Sequence, residues 1–185
     1  VGKAQLAKRE GKHLEAIALL ERAISRDPRL FDAWFLKAEM EREMGDLTAA
    51  HRSYTRALDI VPESADVLIG MATVEIGQKR YERARETLDV LRKVRPANPG
   101  ADYLDALADF QKGNFAAARE AATKLLNHAP NHVPTLIVAG ISAYPLKLFP
   151  EAARHLRNGA ERSGLPVPTV VILAAALLQS DQAEL

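Results

Sequence analysis

Apolar residues recur along this chain at spacings of three and four, and short polar or glycine-containing breaks separate the runs. Between Leu14 and Arg26, Ala16, Leu20 and Ala23 fall on one face, the stripe of a helix that buries one side. Gly11 precedes this helix and Pro28 stops it. Gly2–Arg9 reads as the rear part of a helix before it. Phe31–Pro62 reads as two more helices, about Leu30–Met44 and Leu47–Ile60, with Gly45 at the break and Pro62 at the end. Ala38, Ala50 and Ala57 stand where two helices approach closely. Trp34 and Tyr54 stand where the gap between them needs filling, and Trp34 is expected to be buried.

The same pattern returns at a fixed interval. Pro28, Pro62, Pro96 and Pro130 are each 34 residues apart, and so are Ala16, Ala50, Ala84, Ala118 and Ala152. A constant period of this length signals stacked supersecondary units. A third hairpin spans Ala65–Pro96, with Leu68, Ala72, Tyr81, Ala84 and Leu88 in register. Lys79 replaces its turn glycine and Gly77 lies two residues earlier, so that turn is expected to shift, because glycine most readily ends a helix. A fourth spans Pro99–Pro130, with Ala106, Gly113, Phe115, Ala118 and Leu125. There Asp102 replaces the large apolar residue, and Tyr103 or Leu104 can compensate. A fifth spans Val133–Gly164, with Leu136, Gly140, Phe149, Ala152 and Leu156. Pro145 is expected to kink or end its first helix, Lys147 again replaces the turn glycine, and Pro150 falls in a first turn, where proline is tolerated. Pro168–Gln179 forms one more helix, apolar on nearly all sides from Val170 to Leu178.

Trp34, Ala38, Gly45, Ala50, Tyr54, Ala57 and Pro62 stand at positions 4, 8, 15, 20, 24, 27 and 32 of the hairpin that starts at Phe31. On these residues the chain resembles the tetratricopeptide repeat (TPR) family over almost its whole length. The resemblance implies an all-α, right-handed superhelical solenoid of antiparallel helix pairs, about eleven helices. One continuous domain over 1–185 is expected, with repeats at 1–28 (partial), 31–62, 65–96, 99–130, 133–164 and 167–185 (partial). Phe110–Phe115 and the turn Pro130–Pro134 are similar to bacterial TPR proteins of the PEP-CTERM/exosortase type. That narrower resemblance implies a setting in the cell envelope beside exopolysaccharide systems; without it, a cytoplasmic setting is implied.

TPR proteins line a concave face with their first helices, chiefly through repeat positions 2, 5, 9, 12 and 13. At positions 5, 9 and 12 this chain places Phe35, Glu39 and Arg42; Ile69, Thr73 and Ile76; Tyr103, Leu107 and Phe110; and Ile137, Ile141 and Tyr144. The face thus changes from mixed charge to apolar and aromatic along the chain. Relatives that grip acidic peptide tails need Lys at position 5 and Asn at position 9, and both are lacking here. A protein interaction scaffold whose groove takes an apolar peptide or helix is the reading this supports, since exposed apolar patches mark interaction sites. The alternative is an architectural or oligomerisation module of a larger protein. The all-round apolar last helix then serves self-association through Val171 and Leu178 as a homodimer, because a terminal unit lacking a polar outer face needs covering.

Composition narrows the remaining classes. The chain is 48% hydrophobic with a net charge of +1, so it can bury a core but carries no basic excess for a phosphate backbone, and nucleic acid is not expected as a partner. Without cysteine there is no disulfide and no thiolate metal site, and the compartment stays open. No apolar run reaches the ~20 residues of a membrane span. Val1 is not a natural start, and the chain reads as a piece of a longer protein. His128 and His132 have a metal-binding spacing, but Pro130 lies between them and no third ligand is near. His51 and His155 fall on second helices in structural positions. Glu39, Glu41 and Glu43 alternate and therefore face different sides of their helix. No nucleophile elbow, phosphate-cradling loop or catalytic triad is present, so neither enzymatic activity nor a cofactor is expected.

Overall fold

The computed structural model describes residues 1–183, with side chains as far as Ser180. These residues form eleven α-helices and no strand: α1 (Gly2–Arg9), α2 (His13–Arg26), α3 (Phe31–Glu43), α4 (Leu47–Ile60), α5 (Ala65–Gly77), α6 (Tyr81–Val94), α7 (Pro99–Lys112), α8 (Phe115–His128), α9 (Val133–Ala143), α10 (Phe149–Arg162) and α11 (Val167–Ala183). They group into two compact units, Val1–Ala97 and Asn98–Leu185. Within each unit, a first helix folds back on its second through a short turn, and the second packs on the next first helix.

The turns follow one design whether or not glycine is present. Gly45 sits at φ +82°; its N–H donates to the Arg42 carbonyl at 3.0 Å and the Asp46 N–H to the Glu41 carbonyl at 2.9 Å. This is the paired closure of a helix that ends in a left-handed residue. Lys79 sits at φ +60° with the matching bonds, Lys79 N–H to Ile76 at 2.9 Å and Arg80 N–H to Glu75 at 2.8 Å. At Lys147, φ +59°, the Lys147 N–H donates to the Tyr144 carbonyl at 3.0 Å and the Leu148 N–H to the Ala143 carbonyl at 3.1 Å. The turn after α5 is therefore not shifted toward Gly77. Two backbone hydrogen bonds and the packing of both helices hold the lysine where glycine would be easier. Gly77 has another reason to be small, since a Cβ there would stand 2.9 Å from Leu47 Cδ1.

Other expectations are met with small changes. α9 stops at Ala143, two residues before Pro145, and Pro150 lies in the first turn of α10. Asp102 is exposed; beside it Leu104 is buried at 3% exposure and Tyr103 packs half-buried against the core cluster of α7, α8 and α9. α11 begins one residue earlier than Pro168 and continues past Gln179.

One core cluster of the first unit is a layer of alanines filled by one tyrosine. Ala38, Ala50, Tyr54 and Ala57 are buried with Val67, Met71 and Val74, and Phe31, Trp34, Phe35, Leu47 and Leu58 pack around them. Trp34 is only half-buried, contrary to the register: its ring lies at the edge of the cluster and Nε1 donates to the Pro28 carbonyl at 2.9 Å. Tyr54 fits because Gly70 lies opposite. A Cβ on Gly70 would stand 2.4 Å from Tyr54 Cζ. In the second unit Gly140 plays a similar part: its Cβ would meet Leu156 Cγ at 2.5 Å.

Candidate interaction surface

Each unit leaves one face of its first helices open. In the first unit, α5 buries nearly every residue, and its open positions are Asp66, Ile69, Thr73 and Gly77. Ile69 and Thr73 thus lie on an accessible stripe. Thr73 Oγ1 donates to the Ile69 carbonyl at 2.8 Å, so the hydroxyl serves its own helix. Ile76 does not share the stripe: at 1% exposure it belongs to the core, because it falls one position off the line Ile69–Thr73–Gly77.

On α3, Phe35, Glu39 and Arg42 are half-buried. Phe35 stacks on Phe31 with centroids 6.0 Å apart and tilts against Tyr54 at 6.4 Å. Glu39 and Arg42 are tied to each other and to the core. Arg42 donates to Glu39 Oε2 at 2.7 Å and, through Nε, to the Tyr54 hydroxyl at 3.3 Å. The Tyr54 hydroxyl in turn donates to Glu39 Oε1. Burial works against ionising Glu39, but hydrogen bonds from Arg42 and Tyr54 outweigh it and hold the carboxyl below its usual range. Burial, then Glu39, pushes the Tyr54 hydroxyl well above its usual value. These two groove charges thus hold a buried tyrosine in place. Tyr54 is the member of this site that the repeat positions alone do not reveal.

A second polar layer lies beneath. Glu41 is 6% exposed and accepts from Ser53 Oγ at 2.6 Å and Lys37 Nζ at 2.7 Å. Glu75 is 5% exposed, accepts from Thr87 Oγ1 at 2.8 Å and lies 3.5 Å from His51 Nε2. Both glutamates stand at position 11 and both hydroxyls at position 23. These carboxylates satisfy helix contacts, as buried charges require. His51 bridges to the next repeat, the structural role expected of it.

The open face of the second unit has a different character. Tyr103, Leu107 and Phe110 on α7 and Ile137, Ile141 and Tyr144 on α9 are all half-buried. Apart from the turn-end Pro145, the accessible residues of α9 are Val133, Pro134, Ile137, Ile141 and Tyr144, one stripe along a helix otherwise enclosed. Rings support its edges: Phe110 tilts on Phe115 at 5.8 Å, Tyr144 meets Phe149 at 5.5 Å, and Tyr103 meets the His132 ring edge-on at 5.6 Å. Burial raises the Tyr103 hydroxyl above its usual range. On α11, Val171 and Leu178 are 63% and 66% exposed, while Ala176 is fully buried against α10 and α9.

The histidines lie apart in role. His128 ends α8, whereas His132 caps α9 and pairs through Nδ1 with Thr135 Oγ1 at 2.6 Å. Among the described residues no cluster of three His, Asp or Glu could hold a metal. His155 is 6% exposed, with Nδ1 lacking a partner and Nε2 at 3.3 Å from Arg154. Burial, then Arg154, lowers its basicity.

Tetratricopeptide repeat profiles match residues 1–65 and 41–109, and the chain belongs to the tetratricopeptide repeat family. Its repeats define a protein–protein interaction scaffold on an all-α solenoid, a class that is generally non-catalytic. Among curated proteins it is similar to the protein CTR9 homolog of Arabidopsis thaliana, 25% identical over 165 residues, covering 88% of this chain and 15% of that protein. It is also similar to cellulose synthase operon protein C of Escherichia coli, 28% identical over 158 residues, covering 85% of this chain and 12% of that protein. The chain thus spans only about an eighth of such relatives. Among solved structures, PilW, a type IV pilus biogenesis factor, aligns at TM-score 0.83 and 20% identity over 99% of this chain and 86% of its own. A tetratricopeptide repeat protein from Parabacteroides merdae aligns at 0.84 and 18% identity over 98% of this chain and 71% of its own. These two likenesses show the fold. No described helix is long and apolar enough to cross a membrane.

Proposed function

We propose that the second unit binds a partner protein through an apolar peptide or helix laid on the open face of its first helices. The observation that carries this reading is α9: its accessible stripe, Val133 to Tyr144, contains no charged side chain. Leaving such a stripe in water is unfavourable by about 25 cal/mol per Å² of apolar area, and stripes of this kind mark binding sites. The first unit contributes less to recognition in this reading, because Glu39 and Arg42 are engaged with Tyr54. A photo-crosslinking residue at Ile141, introduced into the full-length protein in its native cell, should give a discrete adduct. The same residue at the exposed Arg157 of α10 should give none. Adducts from Arg157 and none from Ile141 would move the partner to the other side.

A second reading, self-association of the chain as a homodimer, rests on the exposure of Val167, Val170, Val171 and Leu178 along α11. Sedimentation across a hundredfold range of concentration tests it. A wild-type dimer that Val171→Glu with Leu178→Glu converts to monomer would favour it.

A further inference from the structure

Resting on the groove reading above, we infer that the binding face of the second unit runs onto α11 and that its occupant is an amphipathic α-helix rather than an extended chain. The first helices of this unit touch in the order α7, α9, α11, so their open stripes are neighbours. Val171, Ala175 and Leu178 stand at positions 5, 9 and 12 of α11, the register that Ile137, Ile141 and Tyr144 occupy on α9. The opposite side of α11 is the covered one: Thr169 and Ala176, at positions 3 and 10, are buried. Val171 and Leu178 thus continue a face that already exists.

That face carries no charge. No Asp, Glu, Lys, Arg or His stands at position 2, 5, 9, 12 or 13 of α7, α9 or α11. A partner residue that is charged on the contact side would lose its hydration and gain no counterion, so the complementary surface is uncharged. The occupant's backbone decides its conformation. The only side-chain hydrogen-bonding groups at these positions are Gln111, Gln179 and the hydroxyls of Tyr103 and Tyr144. An extended peptide would turn much of its N–H and C=O complement toward a surface that cannot answer it, and unpaired buried backbone groups are costly. A helix closes those bonds internally and offers only side chains. Neighbouring helices pack about 8–10 Å apart, so crossing all three takes about 14 residues at 1.5 Å each, with one apolar residue per turn.

The test is selection of random 16-residue peptides by display on residues 1–185. Enriched sequences should place apolar residues at spacings of three and four with no charge among them, and a synthesised representative should gain helical circular dichroism on binding. Leu178→Glu, at a side chain 66% exposed, should weaken that peptide at least tenfold. Ile141→Glu should do the same, and Arg157→Glu at the exposed surface of α10 should leave it unchanged. Ile141→Gln serves if the glutamate variant unfolds. Enrichment of alternating or proline-rich sequences, or of none, would overturn the helical occupant. Loss with Ile141→Glu but not with Leu178→Glu would overturn the extension onto α11 and leave the groove reading standing. Leu178→Glu that changes only the sedimentation of the chain would hand α11 to a second copy.

Discussion

Replacing Gly70 with alanine separates helix propensity from packing. Gly70 lies inside α5, where alanine is favoured over glycine by about 1 kcal/mol, and a reading of the helix alone expects the variant to be more stable. The structure reverses the sign. The new Cβ would lie 2.4 Å from Tyr54 Cζ and 2.5 Å from its hydroxyl oxygen, whereas carbon atoms rest about 3.5–4.0 Å apart. Tyr54 has no room to retreat: it is fully buried among Ala38, Ala50 and Ala57, and Glu39 and Arg42 hold its hydroxyl. Overpacking of this kind costs about 1–3 kcal/mol. Pulling the hydroxyl away from charged partners costs about 1.5–3 kcal/mol more. Set against the gain in propensity, a net loss of about 1.5–5 kcal/mol is expected. Urea unfolding followed through Trp34 reads it directly, because the single tryptophan packs on the same cluster. The decisive arm is a double-mutant cycle. In a Tyr54→Leu background, Gly70→Ala should become neutral or mildly stabilising. A Gly70→Ala variant that is stabilised in the wild-type background would refute the contact and the network built on it.

Two further outcomes follow from the turns and from His155. Lys79→Gly and Lys147→Gly should each stabilise by about 0.5–1 kcal/mol, since a left-handed non-glycine residue costs about 1–2 kcal/mol and glycine returns about 0.5–1 kcal/mol of that as backbone entropy. A lower urea midpoint at unchanged slope would show that the lysines are not strained. His155 has its basicity lowered from the ordinary value of 6.5 by burial and by Arg154, with Glu151 and Arg119 also facing it. The unfolded chain therefore takes up the proton first as pH falls, and stability that is complete above pH 6.5 declines below it. Thermal melts from pH 7.5 to 5.5 should show this decline, and His155→Gln should flatten it; equal slopes would place the pH sensitivity elsewhere.

How much of this was legible in the sequence depends on whether a feature lies within one column of the repeat or between two. Alanine at position 20 and proline at position 32 repeat in single columns, and they place every hairpin to within a residue or two. The pairing of Tyr54 with Gly70 does not repeat. Position 24 reads Leu20, Tyr54, Leu88, Ala122 and Leu156, and position 6 of the following repeat reads Leu36, Gly70, Leu104, Val138 and Ile172. The one aromatic in the first column is followed by the one glycine in the second. The signal was present as a complement of volumes between different positions in successive repeats, and a scan of each column by itself passes over it. The Tyr54 contacts of Glu39 and Arg42 escape the columns for the same reason. Their positions mark them as groove residues, but their third partner comes from the second helix of the hairpin.

At Lys79 and Gly77 the balance runs the other way, and a local backbone preference loses to packing. Glycine reaches φ > 0 without steric cost, so by local preference alone Gly77 would draw the turn two residues earlier. Moving the turn by two residues would rotate the end of α5 by roughly 200°, at 3.6 residues per turn. That would take Glu75 away from Thr87 and Ile76 out of the core, where it is 1% exposed. The strain of one lysine, about 1–2 kcal/mol, is smaller than exposing a large aliphatic side chain, about 1.5–3 kcal/mol, together with a buried carboxylate stripped of its partner, about 1–3 kcal/mol or more. The turn stays in register because the packing of the two helices outweighs the preference of the residue between them. Lys147 obeys the same inequality in the second unit, where the helix before it ends early at a proline and the left-handed lysine still closes the hairpin.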